Sequence, residues 1–184
     1  MGTTRGILPA LLLLAALPAV PTPAAAGDVA TFALRGVTIE KEVHVPVAPD
    51  EAWALFTGDI SGWWDHSFSE HPAHLVIDRT AGGGFWEYFD EDGHGVKHAE
   101  VTWAEPGRLL KMRGPLGFSG KAVDFVHTFR FEADSAGTRV HLTLNAAGQL
   151  DDDGIAALDQ VWDHFLGDRY VNYVKAKAGA GSGK

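Results

Sequence analysis

The chain contains no cysteine in its 184 residues. Disulfides, thiol nucleophiles, cysteine-ligated metal centres and a lipid-modified cysteine anchor are therefore excluded. Basic residues are also few: 15 Lys and Arg stand against 24 Asp and Glu, a formal charge of −9. Without a basic stripe, neither nucleic acid nor an anionic membrane surface is an expected partner. No H-E-x-x-H, Gly-x-Ser-x-Gly elbow, phosphate loop or dinucleotide fingerprint occurs, and no internal repeat is found. The one long apolar run, Ile7–Val20, is broken by Pro9 and Pro18 and is short for a membrane span.

That run has a different logic. Met1–Arg5 is positively charged, Ile7–Val20 is apolar, and Ala24-Ala25-Ala26 offers an A-x-A cleavage site. These are the three parts of a secretory signal peptide over residues 1–26, implying a secreted or periplasmic protein with no membrane span after cleavage. Retention as an uncleaved anchor is the alternative. Cleavage removes only Arg5 from the basic residues, so 14 then face 24 acidic ones, a net charge of −10 on 158 residues. That length suffices for one domain with a real core. Residues 27–36 read as a linker, 37–177 as the domain, and Ala178–Lys184 as a flexible Gly/Ser/Ala tail.

Within the domain, Val37–Val47 alternates as a half-buried strand, with Lys41 breaking its apolar face near an edge. Pro49-Asp50-Glu51 opens a short helix through Phe56, and Asp59–Trp64 reads as a second short helix. Strands follow at about Ala73–Arg79, Phe85–Phe89, Val96–Glu105 and Arg108–Arg113. They are separated by the turn signals Gly82–Gly84, Glu91–Gly93 and Glu105–Gly107. Val123–Glu132 is the clearest strand, with Phe125, His127, Phe129 and Phe131 on one face; Thr138–Ala146 turns Val140, Leu142 and Leu144 inward. Last comes a helix over Ile155–Lys177, roughly 33 Å long, whose apolar stripe includes Leu158, Trp162, Phe165, Leu166, Tyr170 and Val174. Gly167 interrupts it at a cost of about 1 kcal/mol, and Arg169 falls on the stripe itself. These two are read either as packing detail and a snorkelling cation, or as signs of a helix that covers a cavity. Consecutive strands with short turns require an antiparallel sheet, and only the last helix is long enough to cover its apolar face. The expected fold is α+β, a curved antiparallel sheet wrapped around a long C-terminal helix.

The motifs in this order resemble a known superfamily. Val47–Phe56 is similar to its first strand and helix, and Ile60–Trp64 to its tryptophan pair. Arg79 with Gly82-Gly83-Gly84-Phe85-Trp86-Glu87 is similar to its R-x-GG-x-(aromatic)-E stretch. Val101–Leu110, Gly137–Val140 and the helix around Trp162 complete the likeness. The superfamily is SRPBCC, the helix-grip fold of START domains and polyketide cyclases, and the closer branch is named after activators of a heat-shock-protein ATPase. The resemblance implies a cavity between sheet and helix, and hence a small hydrophobic molecule as partner. It fixes neither ligand nor reaction.

The candidate ligand-binding residues are Trp64, Trp86, Trp103, Phe125, His127, Phe129, Leu142, Trp162, Phe165 and Arg169. The aromatics among them make either a solid core or a ring-walled cavity. His127 is either a satisfied core histidine or a polar anchor. Glu87 is either solvated or paired with Lys97, His127 or Arg169; with His127 it forms the one plausible acid/base pair of a cyclase- or hydrolase-type enzyme. The leading reading is a binder rather than an enzyme, with chaperone regulation least favoured. His66, His71 and His74, or His94 and His98, do not match a zinc spacing. On a strand, residues four apart lie about 13 Å apart. No metal and no cofactor is expected.

Overall fold

The structure is a computed structural model that describes residues 30–181. The signal-peptide reading of residues 1–26, the first three residues of the expected linker and the last three of the expected tail lie outside the described residues. Among the described residues, those from Phe32 to Gly181 belong to one compact unit.

Eight antiparallel strands form one curved sheet in the order β1-β8-β7-β6-β5-β4-β3-β2. They are β1 (Arg35–Val45), β2 (Gly58–Asp59), β3 (His74–Ile77), β4 (Gly84–Tyr88), β5 (Gly95–Glu105), β6 (Leu109–Arg113), β7 (Val123–Asp134) and β8 (Gly137–Gly148). Helix α1 (Pro49–Phe56) follows β1, and the C-terminal helix runs through α2 (Asp152–Trp162), a π-helical segment (Asp163–Tyr170) and α3 (Val171–Gly181). Pairing of β7 with β8 sets Phe125, His127, Phe129 and Phe131 opposite Ala146, Leu144, Leu142 and Val140, and all eight are buried. Strict alternation built this inner face, as expected for half-buried strands.

Four expectations change. Asp59–Trp64 is not a helix: Asp59 ends β2, and its Oδ1 accepts from Ser61 N and Oγ at 3.0 and 2.7 Å. One turn remains, with Trp63 N and Trp64 N both donating to Ile60 O, because six residues are too few to sustain a helix against a side-chain-anchored turn. The last two residues of the expected linker belong to β1, where Arg35 pairs with Gly148 and Gly36 with Ala147. The helix runs on to Gly181 rather than fraying at Ala178.

The fourth change concerns the helix itself. Leu158, Trp162, Leu166, Tyr170 and Val174 are all buried and recur every four residues. In an α-helix such a repeat drifts about 40° per step, roughly 160° over four steps. The wider turns of Asp163–Tyr170 absorb that drift and keep one stripe on the sheet. Gly167, the poorest α-former present, sits in the middle of this segment. Asp151 caps the helix start by accepting from Gly154 N at 2.7 Å. The helix is then tied down by Lys41, which bridges to Asp159 and Asp163 at 2.7 Å each, and by Tyr170, whose hydroxyl donates to Ala52 O at 2.7 Å.

Two bulges break the alternation of β5. Phe85 pairs with Ala99 but Trp86 pairs with Lys97, so His98 is an extra residue; Val101 pairs with Met112 but Trp103 with Lys111, so Thr102 is another. A bulge re-aims the side chains around it. His98 is turned inward and buried, whereas Trp103 is turned out and is 47% exposed. The glycine run before β4 is a tight turn, with Gly82 at φ 87. Arg79 reaches back to the end of α1, donating to Ala54 O at 2.9 Å and Thr57 O at 3.1 Å.

Candidate functional site

A cavity of about 680 Å³ opens between the 66–68 loop, the 116–118 turn and one side of α2 and the π-helical segment. Its walls are mostly apolar: Trp64, Phe68, Leu116, Phe118, Leu158, Val161, Trp162 and Phe165. Trp64 and Phe165 are stacked, with centroids 3.7 Å apart, and the Trp64 indole N–H donates to His66 O at 2.6 Å. That bond fixes both the ring and the loop. Leu116 is held at φ 47, a left-handed conformation that costs a non-glycine residue about 1–2 kcal/mol.

Ser67, Gln160 and three histidines supply the cavity's polar side chains. The imidazoles of His66 and His164 lie with ring centroids 5.3 Å apart, and both line the cavity. His98 lines it from the sheet and contacts Glu87 through Nε2 at 2.9 Å. Glu87 is fully buried, and its carboxylate also accepts from Phe68 N at 3.0 Å and Ser69 N at 2.8 Å. One carboxylate thus orients the histidine and clamps the loop that forms a cavity wall. As the acceptor is a carboxylate, Nε2 is the ring nitrogen of His98 that donates in this contact.

Asp65 lies beside the loop. Its Oδ1 meets His66 Nδ1 at 2.9 Å and His164 Nε2 at 2.9 Å, and its Oδ2 meets Arg169 Nε at 3.2 Å. Partial burial raises its pKa, but the hydrogen bonds of His164 and His66 and the charges of His164 and Arg169 outweigh this and hold it below the usual carboxylate range. Two groups among the described residues bring three potential metal ligands together: Asp65, His66 and His164, and separately Asp90, Asp92 and His94.

Of the residues singled out from sequence, Trp64, Trp162 and Phe165 line the cavity. Phe125, His127, Phe129 and Leu142 are on the inner face, fully buried in packing rather than at the cavity wall. His127 is wedged against Phe129 and Trp162, neither ring nitrogen has a partner, and burial lowers its pKa to about 3. It is therefore a neutral core residue, and Glu87 pairs with His98 instead. Trp86 lies on the outer face, its indole donating to Asp78 Oδ2 at 3.1 Å, and Trp103 was turned out by the bulge. Arg169 left the stripe for the rim, where it is 42% exposed and paired with Asp65. His66, His98 and His164 were not singled out as cavity residues; the first two were weighed only as metal ligands and set aside. The first and last are 98 residues apart, and His98 owes its position to a bulge that no local spacing announces.

The sequence matches, over residues 36–167, the family described as polyketide cyclase / dehydrase and lipid transport. Solved structures share the fold. An uncharacterized protein from Rhizobium leguminosarum is 16% identical with a TM-score of 0.59, covering 78% of this chain and 97% of that one. An AHSA1-like protein from Aeromonas hydrophila is 23% identical with a TM-score of 0.55, covering 77% and 94%. A protein from Staphylococcus saprophyticus is 17% identical with a TM-score of 0.53, covering 76% and 92%. No protein of curated function matches the chain in sequence.

Proposed function

The chain belongs to the polyketide cyclase / dehydrase and lipid transport family of the SRPBCC superfamily, and from that premise we propose that it binds a small, mostly hydrophobic molecule in the cavity between the sheet and the C-terminal helix. The observation that carries this reading is the cavity itself. Its volume of about 680 Å³ lies within the range of about 300–1,000 Å³ usual for small-molecule sites, and its few polar groups converge on otherwise apolar walls. Gly117 provides the test. A side chain there would meet nothing within 4 Å at its first carbon, and the residue lines the cavity. Gly117→Trp should block uptake of a fluorescent apolar probe without lowering the melting temperature. A wild-type protein that takes up no probe, or a Gly117→Trp variant that takes up as much, would remove the reading.

The Glu87–His98 pair favours a second reading, an enzyme of cyclase or hydrolase type. A histidine held by a buried carboxylate is suited to moving a proton at a bound molecule. Native mass spectrometry of protein from its own host should identify a co-purifying compound. If wild type converts that compound and His98→Ala only binds it, the enzyme reading replaces the binder.

Export belongs to the same proposal. It is supported by the charged start, apolar run and A-x-A site of residues 1–26. N-terminal sequencing of the mature protein should begin at Gly27; a protein that begins at Met1 would withdraw export. Among the described residues no helix is long and apolar enough to cross a membrane.

A further inference from the structure

We propose that Asp65, His66 and His164 form a binding site for a divalent transition metal, Zn²⁺ above all, at the rim of the cavity. Two imidazoles and a carboxylate are a donor set suited to zinc, and three protein ligands leave a coordination position open. The ligand atoms are gathered already: Asp65 Oδ1 is 2.9 Å from both His66 Nδ1 and His164 Nε2, and all three lie within 4.8 Å of one another. Zinc bonds of about 2.0–2.1 Å at tetrahedral angles require donor atoms about 3.3 Å apart. The two 2.9 Å contacts to Asp65 are close to that spacing, so side-chain shifts would bring the donors to it.

The donors come from two elements, the loop after the tryptophan pair and the π-helical segment. An ion would staple one to the other. Since His66 and His164 also line the cavity, its open position is placed to meet a molecule held there. Arg169 opposes a dication by charge, but it is exposed and bonded to the other carboxylate oxygen, Oδ2. In that place it is screened by solvent and orients the ligating carboxylate, as outer partners of metal ligands do. The second cluster lacks these features. Asp90 accepts from Asp92 N and His94 N within its own turn, and none of the three residues lines the cavity.

The consequence for the bound molecule, which rests on the binding function proposed above, is an apolar body carrying an oxygen group that coordinates a metal. The metal site is tested without any such molecule. Untagged, chelator-treated protein is titrated with Co²⁺ and followed by its visible absorption, then with Zn²⁺. One equivalent of Co²⁺ should bind and be displaced by Zn²⁺, with a rise in melting temperature. His164→Ala and His66→Ala should each weaken Zn²⁺ binding more than about tenfold, whereas His94→Ala should leave it unchanged. Asp65→Asn should weaken it similarly; should that variant misfold, the two histidine variants decide. No stoichiometric uptake by wild type, full affinity in His164→Ala, or loss of binding in His94→Ala would each overturn the site. Metal bound by a protein that takes up no apolar probe would retain the site and reject the binding function. Probe taken up by a protein that binds no metal would do the reverse.

Discussion

The two ends of the space between sheet and helix are built from the same kinds of residue and end in different states. Under α1, Phe56 is surrounded by Trp63, Phe129 and Tyr170, at centroid distances of 4.9, 4.6 and 5.2 Å, and all four are fully buried. Under α2 and the π-helical segment, Trp64, Trp162 and Phe165 also cluster, yet they wall a cavity. The filled end closes because α1 lies between sheet and helix and supplies Phe56 as its plug. The open end has only a loop and a short turn in that layer, and these carry polar backbone that must be satisfied, as Glu87 does for Phe68 and Ser69. Aromatic content alone therefore does not separate core from cavity. What separates them is whether a helix or a loop forms the middle layer.

The sharpest break in that contrast is Phe56→Ala. Cutting a fully packed Phe should cost about 3–5 kcal/mol, read by urea denaturation, while the folded fraction takes up apolar probe as before. A small loss would mean that the filled end is as loosely packed as the open one.

His127 lies between the two ends and gives a pH signature. With its native pKa lowered to about 3, the folded protein stays unprotonated where the unfolded chain binds a proton below about 6.5. The unfolded state then holds more protons, so stability falls as pH falls from 6.5 towards 3, by about 1.4 kcal/mol per unit. His127→Leu should remove this slope, gaining about 2 kcal/mol relative to wild type between pH 8 and pH 5. Equal slopes in the two proteins would show that the imidazole finds a proton acceptor when buried.

The smallest effect is at Gly167. An added side chain meets nothing within 4 Å, so Gly167→Ala should raise the melting temperature through about 1 kcal/mol of helix preference. The same variant favours α-turns over π-turns in Asp163–Tyr170. A fall in stability would mean that the wide turns need glycine to hold the stripe on the sheet.

The alternation of β7 and β8 and the apolar stripe of the last helix were legible because each depends on local periodicity. Lys41 was legible as an oddity on an edge strand, but its partners Asp159 and Asp163 were not. At the site, Trp64, Trp162 and Phe165 could be found from their place beside or on that stripe. Trp86 and Trp103 misled for different reasons. Trp86 has outward parity and an anchor in Asp78, while Trp103 sits past a bulge that reverses parity. Glu87 stood out as a carboxylate on an apolar strand, yet its partner was hidden by the other bulge.

By itself, the amino-acid sequence determined the architecture: alternation sets which strand faces turn inward, turn residues set antiparallel connection, and one long amphipathic helix remains to cover the sheet. These are local properties, written in the order of polar and apolar side chains. Only the tertiary structure decided where the space between sheet and helix is closely packed and where it opens to the pocket lined by Trp64, Trp162 and Phe165. It alone joined Glu87 to His98, and Asp65 and His66 to His164. Those pairings follow from bulges, wide helical turns and the meeting of segments about a hundred residues apart, and such events are selected by packing of the whole chain rather than by any stretch of it.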